Sequence, residues 1–221
     1  MRDLPGTRDG ALTYAEGMRR RLFALVYRPF DRLQRRPLAR VRGLLVGDLA
    51  GDVLEVGCGP GSNFPHYPQG ARVTATDSNP HMLPAAHAAA ARTPAAIDVL
   101  EADATALPFE DASFDAYVAA LVLCSVADLD RALAEARRVL RPGGEIRLFE
   151  HVRSERGWLA RLQRWASPAW GAVADGCHLD RDPVTALRSG GFTEVRVEAS
   201  MGGGMLPLVL VRARAPEATA D

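Results

Sequence analysis

Gly57, Gly59 and Gly61 directly follow the apolar run Val53–Val56 and precede Ser62-Asn63, a pair that can open a helix. A chain that leaves a strand and turns this sharply can bring bare backbone against a ligand, where side chains would obstruct the approach. Dinucleotide enzymes and plain tight turns share such a glycine turn, so the groups that follow it carry more weight. Asp77 ends the next apolar run, about twenty residues after Gly57, where a carboxylate can accept both hydroxyl hydrogens of an adenosine ribose. Asp103, in Glu101-Ala102-Asp103-Ala104, ends the third run and is placed to accept a hydrogen bond from an adenine amino group. Any one strand-end aspartate can equally cap a turn or a helix. Three successive strand ends with suitable groups point instead to a bound adenosine-containing molecule.

Two cofactor classes compete for that description. A nicotinamide enzyme favours GxGxxG, which places its third glycine at position 62; the residue there is Ser62, and Gly61 falls one place early. Glu55 lies within the first run, two residues before Gly57. A carboxylate there is favourable near the sulfonium and ammonium groups of S-adenosylmethionine and unfavourable beside a pyrophosphate. The pattern points to the methyl donor.

On the acceptor side, His151 follows Glu150 at the end of the fifth apolar run, at the rim where a substrate should sit. An imidazole there can take a proton near neutral pH, or can simply hydrogen-bond at the strand end. Asp175 and His178 flank Cys177 in a polar segment and form a second candidate pair, with Asp175 orienting His178 or closing the pocket. Methyl transfer from a sulfonium is an in-line displacement, which mainly requires a nucleophile held about 3 Å from the methyl carbon. A thiol, with an ordinary pKa of about 8.5, requires little activation. An alcohol requires a strong base or a metal, and the spacing shows no ligand cluster, so no metal is expected and a thiol or an amine is favoured. Cys58, Cys124 and Cys177 are odd in number, far apart and without a CxxC pair; they read as small buried hydrophobes. Trp158, Trp165 and Trp170 share one helical stretch, Trp158 and Trp165 on the same face, and read as core, with an aromatic wall beside the sulfonium as the alternative. His66, His81 and His87 are scattered and read as surface or helix residues.

These groups need a scaffold that brings strand ends together. The predicted strands are Val53–Val56, Arg72–Thr76, Ile97–Glu101, Phe114–Ala119, Glu145–Glu150, Glu194–Ala199 and Leu208–Arg212. The predicted helices are Pro80–Arg92, Asp128–Leu140, Trp158–Trp170 and Pro183–Ser189. Such alternation predicts an α/β fold, a doubly wound and mostly parallel seven-stranded sheet. Its last two strands, separated only by Met201-Gly202-Gly203-Gly204 and what little follows, should form an antiparallel hairpin at the edge. Residues 1–50 form a helical cap or lid, 51–213 the main domain and 214–221 a disordered tail. The first fifty residues hold eleven arginines against five acids, with Leu22, Phe23, Val26, Tyr27 and Phe30 interleaved at helical spacing and Pro29 and Pro37 as punctuation. They read as a pair of helices that cover the domain, and as a substrate lid or a basic surface in weak peripheral contact with anionic lipid.

The 221 residues suit one domain, 48% hydrophobic and 24% charged, which is ordinary globular usage. A net charge of zero argues against nucleic acid as the main partner. All 27 basic residues are arginine, a compositional bias without functional weight. Cysteine usage, the absence of an apolar leader after Met1 and the absence of a long apolar run predict a cytoplasmic protein without a membrane span.

Glu55–Gly61, Asp77, Asp103-Ala104 and Leu140-Arg141-Pro142-Gly143-Gly144 resemble motifs of the class I S-adenosylmethionine-dependent methyltransferases. That resemblance spans roughly residues 50–213, with Leu140–Gly144 as the helix stop and turn before the fifth strand. It implies a Rossmann-like fold and a cofactor site built from Glu55, Gly57, Cys58, Gly59, Gly61, Asn63, Asp77, Ser78, Met82, Asp103, Ala104 and Ala120. A narrower resemblance links Gly57–Phe64, Tyr67-Pro68, Arg72-Val73-Thr74, Glu150-His151-Val152, Trp158, Pro168-Ala169-Trp170 and Asp175–Arg181 to the methyltransferase-like alkyl-thiol S-methyltransferases of animals. Several of these segments lie outside the cofactor core, so they bear on the acceptor, and they imply a small-molecule thiol. Animal members begin with a hydrophobic anchoring segment, from which this sequence departs. N-methylation of a phospholipid head group or another small metabolite, a nicotinamide-dependent oxidoreductase, and a non-catalytic donor-binding module stay open at this point, as does the oligomeric state.

Overall fold

A computed structural model describes residues 14–217. The tail expected from 214 does not start there, since Arg214 ends a strand and Ala215 is buried with its N–H on Gly144 O; residues 218–221, and the opening residues considered for a leader, lie outside the described residues. Seven strands form one sheet: β1 Gly51–Val56, β2 Ala71–Asp77, β3 Ala96–Glu101, β4 Phe114–Ala120, β5 Leu140–His151, β6 Thr193–Met201 and β7 Leu208–Arg214. Their spatial order is β3-β2-β1-β4-β5-β7-β6. β1 to β5 run parallel, whereas β7 is antiparallel to both β5 and β6. The short Gly202–Pro207 link leaves no room for a crossover helix, so β6 and β7 close the edge as the expected hairpin.

Alternation along the strands sends side chains to two separately packed faces. Leu54 and Val56 of β1, with Tyr117 and Ala119 of β4, meet Leu133 of α3 (Leu129–Val139) and Leu187 of α5 (Pro183–Ser189). Val53, Ala116 and Val118 point the other way, against Val41 and Leu45 of α1 (Tyr14–Val46) and Ala86 of α2 (Leu83–Ala90). Asp128 and Asp182 open α3 and α5 by accepting the backbone N–H of Arg131 and Thr185, as N-caps do.

Three local expectations need correction. The N-terminal pair of helices is one continuous helix, α1, with Pro29 and Pro37 inside it. Its C-terminal end, including Val41, Leu45 and Val46, is part of the core, and that packing outweighs the backbone hydrogen bonds the prolines omit. The segment Leu140–Gly144 is drawn into β5, with Leu140 opposite Phe114 and a register shift before Glu145 opposite Ala116. Trp158 and Trp165, in α4 (Gly157–Val173), are 65% and 81% exposed rather than core. The inward face of α4 is instead Leu159, Gln163 and Ser167, four residues apart, which turns the two tryptophans outward. Among the described residues no helix is long and apolar enough to cross a membrane.

Candidate active site

The sheet reverses its order between β1 and β4, so their carboxyl ends flank a crevice, as in other open α/β sheets. A cavity of about 400 Å³ lies there. Its floor is Gly57 and Gly59, and around it stand Asp77, Ser78, Met82, Asp103, Ala104 and Ala120. Eight of the twelve residues expected at the cofactor thus share one cavity.

Glu55, Cys58, Gly61 and Asn63 do not line it, and the turn's own packing explains why. Glu55 is fully buried beneath the turn, where its carboxylate accepts Asn63 Nδ2 at 2.9 Å and Tyr67 Oη at 2.8 Å. Burial pushes its pKa up to about 7 against the pull of those two donors. Glu55 therefore fixes the turn from below and does not reach the cavity surface. Cys58 packs with Phe64 and Tyr67 in the core, and a side chain at Gly61 would strike the Phe64 ring and Ala89. Among the three turn glycines Gly57 is the most constrained, with φ +58° and an added Cβ only 2.3 Å from Val122 Cγ2. Gly57→Ala is expected to cost about 1–3 kcal/mol of stability and to weaken S-adenosylhomocysteine binding, measurable by urea unfolding and calorimetric titration.

Asp77 braces the turn from the side. Its Oδ2 accepts Gly59 N–H and its Oδ1 accepts Asn79 N–H, both at 2.8 Å. Burial raises its pKa, opposed by these backbone donors. Each oxygen keeps a second lone pair for a ligand. Asp103 spends Oδ1 on the Thr105 N–H and hydroxyl, which leaves Oδ2 available at the cavity wall.

A second cavity, of about 770 Å³, adjoins the first; Phe23, Tyr27, Leu121, Ser125 and Asp175 belong to both walls. Its lining is mostly apolar, with Leu22, Val26, Phe30, Leu38, Trp170, Leu206 and Leu208. Phe23 and Tyr27 stack at 5.2 Å between the two spaces. Burial, with Asp31 adding to it, raises the Tyr27 phenol to about 12, so it is a lining group and not a base near neutrality. Leu121 (φ 60°) and Asp175 (φ 49°) both hold left-handed backbone, strain of the kind that collects at functional sites.

The candidate catalytic residues divide between these spaces. His178 and Asp175 line the first cavity and His151 the second. Asp175 does not orient His178; it faces Arg19 of α1 at 3.9 Å. His151 has different company. Its Nδ1 lies 4.0 Å from Cys177 Sγ, and one ligand atom each from Cys124, His151 and Cys177 falls within 4.8 Å of the others. All three cysteines are free and buried, as expected, and Cys124 and Cys177 in addition stand beside an imidazole. Hydrogen bonding from Cys124 pulls the Cys177 thiol below its ordinary range, helped by His151 and Trp170 against burial. The same sharing pushes the Cys124 thiol up. Cys124, His151 and Cys177 are far apart in sequence, and the loops that join them here carry no spacing rule.

Two residues set the loop that carries Cys124, and neither was expected to do so. The buried Glu150 carboxylate accepts the N–H groups of Val122 and Leu123 at 2.9 Å and of Cys124 at 3.3 Å. Arg181 donates to the carbonyls of Leu123 and Val126. The only sequence signal was their place in Glu150-His151 and Asp180-Arg181.

α1 roofs both cavities and is held by a buried polar network. Asp31 accepts Ser62 Oγ and pairs with Arg35 and Arg42, and Arg42 Nη1 donates to Asn63 Oδ1 at 2.7 Å. Nearer the rim, Arg20 donates to Ser78 O at 2.7 Å, and Asn79 Nδ2 donates to Arg20 O at 3.2 Å. The glycine turn and the helix above it are thus one hydrogen-bonded unit.

Residues 54–148 match the family model of a methyltransferase domain. Human thiol S-methyltransferase TMT1B is 35% identical over 175 residues, 77% of this chain and 72% of that protein. The chain belongs to the thiol S-methyltransferase family. Human TMT1A is 39% identical over 150 residues, 66% of this chain and 62% of that protein. An S-adenosylmethionine-dependent methyltransferase structure from Thermotoga maritima superposes with a TM-score of 0.66 at 20% identity, over 89% of this chain and 99% of that one; it shares the fold. The cofactor of this methyltransferase is S-adenosylmethionine, and the first cavity has the chemistry for it. A Cβ at Gly59 would meet only Tyr27, at 3.8 Å, so the backbone there is open to a ligand, with the Asp77 and Asp103 carboxylates beside it.

Proposed function

We propose that this chain transfers the methyl group of S-adenosylmethionine to the sulfur of an apolar small-molecule thiol. The observation that carries this reading is the apolar cavity beside the cofactor cavity, with His151, Cys124 and Cys177 at one corner of its wall. Bound in the first cavity, the cofactor supplies a methyl group on a positively charged sulfur. Gly57 and Gly59 present backbone to it, and Asp77 and Asp103 offer carboxylate oxygens. The stacked Phe23 and Tyr27 rings between the cavities suit a sulfonium on one side and an apolar chain on the other. In the second cavity the aliphatic and aromatic lining holds the acceptor's hydrocarbon and excludes water. Its thiol end faces the corner formed by His151, Cys124 and Cys177. Asp175 and His178 close the first cavity beneath α1.

Thiol S-methylation also agrees with the activity in the names of the family's human members. Incubation with labelled donor and a panel of alkyl thiols, alkyl amines and phenols tests it by mass spectrometry. S-methyl thioethers are the expected products; labelling confined to amines or phenols overturns the reading. Weak peripheral lipid contact through α1 is supported by its exposed Leu22, Leu25 and Leu33 among arginines. Flotation with anionic vesicles checks it, and absence of binding removes it.

A further inference from the structure

We propose that Cys124, His151 and Cys177 form a zinc-class metal site whose fourth coordination position opens into the apolar cavity. The three donors come from different elements: the loop after β4, the end of β5 and the loop after α4. Their ligand atoms nonetheless converge within 4.8 Å of one another, with Cys177 Sγ and His151 Nδ1 at 4.0 Å. A tetrahedral ion with bonds of about 2.0–2.3 Å spaces such ligands about 3.5–3.8 Å apart, so loading an ion draws these atoms together by at most about 1 Å. Two thiols and an imidazole are soft to borderline donors, which select zinc or cobalt over magnesium or calcium. The nearest carboxylate in sequence, Glu150, is committed to three backbone N–H groups and adds no hard ligand.

Charge favours the same conclusion. Two thiolates neutralise a divalent ion, so the loaded site adds no net charge to an apolar wall. The cysteines are free thiols, and the loop that carries Cys124 is already fixed. Its N–H is held by Glu150, its carbonyl accepts His178 N–H at 2.7 Å, and Arg181 binds the carbonyls on either side. Three protein ligands with an open position facing a substrate space are the pattern of a catalytic site, whereas four closed ligands mark a structural one.

The use of the open position rests on the thiol reading proposed above. An acceptor R–S–H would form a sulfur–metal bond and release its proton to water. The bound sulfur would then form the S–CH3 bond as the donor's sulfonium–methyl bond breaks, giving S-adenosylhomocysteine. The neutral thioether is a weaker ligand and leaves. In the loaded chain, His151 therefore acts as a ligand that positions the acceptor sulfur.

The test uses the full chain, reduced with a phosphine, incubated with Zn²⁺ or Co²⁺ and dialysed. About one ion per chain should remain, and the cobalt form should show thiolate-to-metal charge-transfer absorption. Cys124→Ser, Cys177→Ser and His151→Ala should each lower metal affinity at least about tenfold. S-adenosylhomocysteine affinity should stay unchanged in all three, since none of these residues lines the cofactor cavity; this also reports that the variants fold. An alkyl thiol should shift the cobalt spectrum and an alkyl amine should not. Failure to retain metal, retention that survives both serine variants, or isolation of a Cys124–Cys177 disulfide in place of the metal form overturns the site. Full-rate thiol methylation by the chelated chain overturns it and leaves the thiol reading standing. Stoichiometric metal with transfer only to amines upholds the site and overturns the thiol reading.

Discussion

Glu150→Ala is expected to abolish methyl transfer and to destabilise the fold by about 3–5 kcal/mol, because it strips three buried N–H groups of their acceptor. Those groups belong to Val122, Leu123 and Cys124, and the side chains of this loop form part of both cavity walls. Burial itself works against the Glu150 charge and raises its pKa, and the three N–H donors pull the other way. Neutralising the group is therefore less damaging than removing it. Glu150→Gln can keep both bonds to its Oε1 while its amide meets the Cys124 N–H as donor to donor. It should lose about 1–2 kcal/mol and retain measurable turnover. Urea unfolding and initial rates with a saturating thiol distinguish the two variants; equal damage from both would show that charge, and not the loop's acceptor, is what the site needs.

The second large effect is expected at Asp31, which joins α1 to the glycine turn. Its carboxylate is buried and serves Ser62, Arg35 and Arg42 together. Asp31→Ala leaves the buried Arg42 guanidinium without its counter-charge, a change that costs about 3–5 kcal/mol in comparable settings. Because α1 roofs both cavities, the loss should also appear as weaker S-adenosylhomocysteine binding and a raised KM for the acceptor. The double variant Asp31→Leu with Arg42→Leu removes both charges and should be more stable than Asp31→Ala alone. If the single variant unfolds at the same urea concentration as the parent, the network does not hold α1.

The parent scaffold was legible because its signals are local. Strand–turn–helix alternation, the short link before β7 and the strand-end aspartates gave the sheet, its edge hairpin and eight residues of one cavity. What was missed depended on three-dimensional packing. Glu55 has the right type and place for a cation partner, yet nothing in its own segment reveals that Asn63 and Tyr67 return beneath the turn to claim it. Trp158 and Trp165 share a helical face as read, but periodicity alone does not say which face is inward; Leu159, Gln163 and Ser167 decide that. The Cys124–His151–Cys177 corner joins two loops and a strand end separated by tens of residues, so spacing rules written for contiguous ligand pairs pass over it. Arg181 and Glu150 act on backbone groups, and such partners leave no pattern in side-chain types.

The most direct test is the dependence of rate on acceptor length. If a large apolar cavity holds the hydrocarbon of a thiol next to the cofactor, kcat/KM along a series of straight-chain alkyl thiols should climb about fourfold per added methylene until the cavity is filled, since each buried methylene contributes about 0.8 kcal/mol. A rate that is flat with length, or highest for small hydrophilic thiols, would contradict an acceptor seated in the space between α1, His151 and Trp170.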